Sequence, residues 1–67
     1  MSPQGIGRVV KRLREAKGMT QADLAKKAKV TRPYITMLEG GQRKAPSVAT
    51  LRRIAKALGV PVTELLG

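Results

Sequence analysis

Apolar residues recur at three- and four-residue steps along most of the chain, which is the spacing of a helix with one buried face. The first set predicts a helix over residues 5–17. Its members are Ile6, Val9, Val10, Leu13 and Ala16. The remaining positions of this segment are mostly charged, so the helix has a core face and a basic face. Gly18 follows, where a positive φ would end it.

A second helix is predicted to start at Thr20. Thr20 and Asp23 have the spacing of a capping box, in which the hydroxyl accepts from a first-turn amide and the carboxylate bonds back. Leu24, Ala25 and Ala28 form its inner face. The lysines at positions 26, 27 and 29 face outwards.

Pro33 limits where the third helix can begin. A proline inside a helix costs about 3 kcal/mol, whereas in the first turn its missing N–H is no loss. The restriction on the residue before a proline leaves Thr31 or Arg32 as the N-cap. Tyr34, Ile35 and Leu38 have spacings that place them inward or partly inward, and two glycines at 40–41 end the helix.

The C-terminal third predicts two more helices. Ser47 is a good N-cap for the fourth helix, and Gly59 closes it. The apolar stripe of that helix is Val48, Leu51, Ile54, Ala55 and Leu58. Pro61 opens a short fifth helix that reaches Leu66. The pattern therefore predicts an all-α domain over residues 5–67, preceded by a flexible arm at residues 1–4.

Charge points to a polyanionic partner. The chain has fourteen Lys and Arg residues and only four acidic residues, and its formal net charge is +10. Without Cys or His, the chain has no disulfide, no thiolate or imidazole metal ligand and no His-assisted nucleophile. Scattered carboxylates offer no acid–base pair, so we expect no enzyme, no cofactor and no metal. No apolar run approaches the roughly 20 residues that span a bilayer, and we expect a cytoplasmic protein with no membrane partner.

Several short motifs resemble those of the lambda-repressor-like family, the phage repressor and Cro type of helix-turn-helix protein. They are LREAKG at 13–18, TQ at 20–21, LA at 24–25, YIT at 34–36, LEGG at 38–41, PS at 46–47, TL at 50–51 and AKALGV at 55–60. The resemblance implies a compact five-helix DNA-binding domain. Its second and third helices would form the helix-turn-helix, with the third lying in the DNA major groove.

Carried over position by position, the resemblance implies base contacts by Arg32, Pro33, Thr36 and Met37. Arg32 can donate two hydrogen bonds to guanine, and its alternatives are a phosphate contact or a solvated side chain. Pro33 and Met37 offer only apolar contact to a base, and Met37 could equally well pack on the protein surface. Thr36 contacts a base or simply lets the third helix approach the second.

The resemblance also implies phosphate contacts, chiefly by Gln21 at the start of the second helix. Gln21 could instead serve as a capping residue at the protein surface. The Tyr34 ring could instead cover the edge of the helix-turn-helix motif. The implied phosphate contacts together are Gln21, Tyr34, Arg43, Lys44, Arg8 and Arg12. Such a cluster predicts an affinity for DNA that falls steeply with salt.

Two further features follow from the resemblance. Arg14 and Glu39 match a paired Arg and Glu that link the first helix to the end of the third. Lys29 departs from the family, which often has Gly in the turn, and a left-handed lysine there would cost about 1–2 kcal/mol.

The C-terminal residues carry more apolar surface than a chain end needs. Val60, Val62, Leu65 and Leu66 are therefore expected to contribute to a homodimer interface, or else to cover the monomer core. The favoured function is a transcriptional regulator, a repressor, that binds a pseudo-palindromic double-stranded DNA operator as a dimer. The alternatives are an antitoxin or other protein-binding module, and a nonspecific basic nucleic-acid binder.

Overall fold

A computed structural model describes residues 5–42 and 46–66. Its elements are α1 (Gly5–Ala16), α2 (Gln21–Ala28), α3 (Arg32–Glu39), α4 (Val48–Leu58) and α5 (Val62–Leu66). Over these ranges the prediction of an all-α fold with five helices is confirmed. The predicted arm at residues 1–4 lies outside the described residues.

The cap of α2 has the geometry that the sequence predicts. The Asp23 backbone N–H donates to Thr20 Oγ1 at 3.0 Å, and the Thr20 backbone N–H donates to Asp23 Oδ2 at 2.9 Å. These bonds satisfy amides that have no partner within the helix. The hydrogen bond from the Thr20 backbone is also the main reason that the pKa of Asp23 lies below its usual range.

The start of α3 resolves the choice between Thr31 and Arg32. Thr31 is the N-cap, since its Oγ1 accepts from the Tyr34 backbone N–H at 3.2 Å. Arg32 is then the first helical residue and Pro33 the second, within the turn where a proline is tolerated. Ser47 caps α4 in the same way, by accepting from the Thr50 backbone N–H at 3.2 Å.

The C-cap residues of α2 and α4 are left-handed, and Gly18, with φ 68, follows the end of α1 as predicted. Gly59 has φ 70 at the end of α4, and Lys29 has φ 58 at the end of α2. Lys29 is the one non-glycine residue with a positive φ in the part of the chain described. The turn therefore has the conformation for which the family often uses Gly.

Each helix has two main packing partners: α2 contacts α3 and α4, α1 contacts α3 and α5, and α4 also contacts α5. The buried apolar residues form one cluster, made of aliphatic side chains and alanines. They are Val10, Leu24, Ala25, Ala28, Ile35, Leu38, Leu51, Ile54, Ala55, Leu58 and Leu65. The small side chains allow close helix approach, and they compensate for the absence of buried aromatic rings in this cluster.

One close approach depends on a glycine that the apolar periodicity does not single out. Gly7 is buried in α1, and a Cβ added there would overlap the backbone carbonyl oxygen of Leu38. The same Cβ would lie 3.3 Å from Glu39 Cα. Helix α1 therefore meets the end of α3 backbone to backbone, which brings the side chains around Glu39 within reach of α1.

Two residues of the predicted apolar stripes are wrong as core positions. Val48 is 64% exposed because it is the first residue of α4, next to the cap and beyond the layer that α2 covers. Ala16 is exposed at the last residue of α1, which ends one residue before the predicted Lys17. The fifth helix likewise begins at Val62 and not at Pro61.

Candidate nucleic-acid interface

The solvent-facing side of α3 presents the four residues predicted to contact bases. Arg32, Pro33, Thr36 and Met37 are all exposed. Their spacing places them on one side of the helix, and burial of Ile35 and Leu38 on the other side fixes its rotation. The buried residues of α3 thus determine which of its residues face solvent.

Thr36 has a structural contact in addition to its exposure. Its Oγ1 lies 2.8 Å from Gln21 Oε1 and 3.2 Å from the Arg32 carbonyl oxygen. A hydroxyl has one proton, so it donates to one acceptor at a time or shares the proton between them. The hydroxyl therefore joins the exposed face of α3 to the first residue of α2.

The carboxamide of Gln21 is held at both ends. Its Oε1 accepts from Thr36, and its Nε2 donates to Glu39 Oε1 at 3.1 Å. A primary amide carries two N–H donors, so one remains for a phosphate at the positive end of α2. Gln21 is consequently positioned by α3 and is not a mobile surface side chain.

Arg14 and Glu39 form a bidentate pair. Arg14 Nε donates to Glu39 Oε2 at 2.7 Å and Nη2 donates to Oε1 at 3.0 Å. A third bond runs from Nη1 to the Met19 carbonyl oxygen at 2.6 Å. The side chains are 10% and 3% exposed, and the hydrogen bond with Glu39 raises the pKa of Arg14 against the effect of burial.

The predicted phosphate contacts are distributed over several elements. Arg8 and Arg12 are exposed on α1. Tyr34 is half-buried and packs against the core cluster. Arg43 and Lys44 lie outside the described residues. Among the described phosphate contacts outside α3, Gln21 is hydrogen-bonded to the exposed side of that helix, through Thr36.

The four C-terminal residues predicted for a dimer interface differ in their exposure. Leu65 is 1% exposed and belongs to the core, so it is wrong as a contact with a second copy. It is buried because α5 packs against α1 and α4. Val60 and Val62 are half-buried against the same core, and Leu66 is 52% exposed. Of the four residues, Leu66 and the exposed parts of the two valines are therefore available for a contact with a second copy.

Arg53 has a role that sequence reasoning missed. It lies outside the apolar stripe of the fourth helix, where a solvated side chain is expected, but its Nε donates to the Ala28 carbonyl oxygen at 3.0 Å. This bond satisfies an acceptor near the end of α2. Its signal in the sequence is weak, because only the packing of α4 on α2 brings the two residues together.

Within residues 5–42 and 46–66, no three His, Cys, Asp or Glu side chains are grouped so that they could hold a metal ion. None of the helices described there is long and apolar enough to cross a membrane.

Comparisons with known proteins point in one direction. The helix-turn-helix family model matches residues 10–65. The immunity repressor protein of Bacillus phage phi105 is 37% identical over 62 residues, which are 92% of this chain and 42% of the phage protein. This chain therefore spans less than half of that relative's length.

Two solved structures have the same fold. The restriction-modification controller protein C.AhdI from Aeromonas hydrophila matches with a TM-score of 0.86 and 34% identity, covering 91% of each chain. SinR, a biofilm regulator of Bacillus subtilis solved in complex with DNA, matches with a TM-score of 0.88 and 34% identity. That match covers 92% of this chain and 98% of the solved one.

Proposed function

Because the chain belongs to the helix-turn-helix family, we propose that it regulates transcription by binding a specific sequence of double-stranded DNA. The observation that carries the proposal is the exposed side of α3. Arg32, Pro33, Thr36 and Met37 face solvent on a helix whose rotation the core fixes, beside a glutamine positioned for a phosphate. The SinR match, solved in complex with DNA, supports the same function. Because these relatives come from a bacteriophage and a bacterium, the proposed site of action is the cytoplasm, where bacterial DNA lies.

Arg32 is the residue that we propose for sequence readout. Its guanidinium can donate two hydrogen bonds to O6 and N7 of a guanine, which discriminates against a wrong base by about 1–3 kcal/mol. It is the first residue of α3, and this end of a reading helix meets the base edges. Pro33 and Met37 would add apolar contacts, for example to a thymine methyl group.

Phosphate contacts would hold α3 in register. Gln21 would donate its remaining amide proton, and Arg8, Arg12, Arg43 and Lys44 would add positive charge. Each neutralised phosphate contributes a slope of about −0.9 to the dependence of log affinity on log salt. Binding should therefore weaken strongly as salt rises.

We further propose a dimer on a pseudo-palindromic operator, acting as a repressor. One reading helix covers only a few base pairs, and two copies on half-sites about 34 Å apart would double the sequence that is read. Leu66, with the exposed parts of Val60 and Val62, is the remaining apolar surface for that contact. The similarity to the phage immunity repressor supports the repressor role.

Selection of bound sequences from a random pool of duplex DNA tests this function. The wild-type chain should select a palindromic motif, and Arg32→Ala should lose the preference at one base of each half-site. Arg52→Ala is the matched control, because it removes an exposed arginine from α4 and should leave the motif unchanged. If the wild-type chain enriched no sequence from the pool, the protein would be a nonspecific basic binder and the proposal would be overturned.

A further inference from the structure

A concavity lined by cations lies where the C-terminal end of α2 meets α4. It has a volume of about 370 Å³ and is lined by Lys27, Lys29, Arg53, Lys56 and Ala57. We call it the basic concavity. Its lining residues in the described part of the chain include no carboxylate and no residue of α3. It is therefore made by side chains other than those proposed to read DNA.

Arg53 is anchored in the basic concavity. Its Nε donates to the Ala28 carbonyl oxygen at 3.0 Å, which holds the guanidinium across the contact between α2 and α4. That is its one hydrogen bond to the described residues. The terminal N–H groups of the guanidinium are thus available for two parallel hydrogen bonds to an oxyanion.

The backbone conformation of Lys29 is a second observation that favours a function for these cations. It adopts φ 58, a conformation that glycine would adopt with less strain. Its backbone N–H alone makes the bonds that cap α2, to the Ala25 and Lys26 carbonyl oxygens, so the cap does not need an ammonium group. The strain is therefore accepted at a position where the side chain lines the basic concavity.

The ends of the helices explain only part of this arrangement. A helix C-terminus favours nearby cations, which accounts for lysines in the last turns of α2 and α4. It does not account for both helices contributing cations to the same concavity, where like charges repel. An anion bound there would relieve the repulsion.

We propose that the basic concavity binds an anion with clustered phosphate groups, independently of the α3 face. Three lysines supply point charges, and Arg53 supplies a planar fork that matches phosphate oxygens. The phosphates can belong to a free polyphosphate compound or to the backbone of a second nucleic-acid duplex. These sources share the chemistry that the four cations recognise.

The test is a titration of the full chain with inorganic tripolyphosphate at constant ionic strength, followed by backbone amide chemical shifts. The largest shift changes should fall at residues 27–29 and 53–57. Lys27→Gln with Lys56→Gln should weaken binding by about tenfold or more, since it removes two of the four cations that attract the phosphates. Both lysine side chains are exposed and make no hydrogen bond to the described residues, so the fold should persist.

The matched control is Lys26→Gln with Arg52→Gln, which removes two exposed cations from the same helices outside the basic concavity. This control should change tripolyphosphate affinity by less than about twofold. Equal losses in the two double variants, or shift changes centred on α3, would overturn the proposal. Stronger binding of a polyglutamate peptide than of tripolyphosphate at the same amides would overturn the phosphate assignment.

Two more measurements complete the test. An unrelated duplex added to operator-bound protein should displace tripolyphosphate if the natural source is nucleic acid, and should leave it bound if the source is a free compound. Operator affinity should be equal in the two double variants. A chain that binds tripolyphosphate as expected but selects no operator would contradict only the DNA-binding function.

Discussion

Glu39 is the side chain on which the polar contacts between the first three helices converge. Its carboxylate accepts from Arg14 Nε at 2.7 Å, from Arg14 Nη2 at 3.0 Å and from Gln21 Nε2 at 3.1 Å. Gln21 in turn accepts from Thr36 on the exposed side of α3. A single nearly buried acid therefore links the packing of α1 to the position of the proposed phosphate contact.

Removing Glu39 should destabilise the fold more than a surface substitution does. Glu39→Ala would leave Arg14 buried without its partner, at a cost of about 3–5 kcal/mol in the free energy of unfolding. Urea denaturation of Glu39→Ala, Arg14→Ala and the double variant measures the coupling between the two residues. Glu15→Ala is the control, because Glu15 is exposed and lies 4.0 Å from Arg14, and it should cost less than about 1 kcal/mol. Additive effects of the two alanines would contradict the pair's structural role.

At the scale of elements, the ends of the helices are set by local chemistry and their contacts by packing. Thr20, Thr31 and Ser47 cap helices as their positions in the sequence predict. The end of α2 differs, because Lys29 takes the left-handed conformation that Gly59 takes at the end of α4. The same backbone geometry is thus made once with glycine and once with lysine.

This pair of helix ends allows a reciprocal test. Lys29→Gly should stabilise the protein by about 1 kcal/mol, because it removes the strain of a side chain at positive φ. Gly59→Lys should destabilise it by a similar amount, since a Cβ at Gly59 meets only Lys17 Nζ at 3.8 Å and strain is then the main cost. Thermal unfolding of both variants measures the effect. A loss of stability in Lys29→Gly would contradict the strain and point to a stabilising contact of the lysine side chain.

At the scale of the whole molecule, the sequence predicted what depends on one segment at a time. Periodicity located the helices, and caps and prolines located their starts. It did not predict that Gly7 would lie against the Leu38 carbonyl, or that Arg53 would reach Ala28, because these contacts join segments whose approach is set by packing.

The candidate site divides in the same way. Exposure of Arg32, Pro33, Thr36 and Met37 follows from the spacing of the buried residues of α3. The contact of Gln21 with Thr36 requires α2 and α3 to cross at a particular place, which no local pattern specifies. Leu65 is an apolar residue that would also suit an interface. It belongs to the core because α5 packs against α1 and α4.

The central claim is that α3 reads DNA through Arg32. The most direct test measures the affinity of the wild-type chain and of Arg32→Ala for the selected operator, with guanine or 7-deazaguanine at the base whose preference the variant loses. The modified base lacks the N7 acceptor, so it should weaken wild-type binding by about fivefold or more and leave Arg32→Ala nearly unaffected. An equal loss in both proteins, or no loss in either, would contradict the assignment of Arg32 as the reading residue.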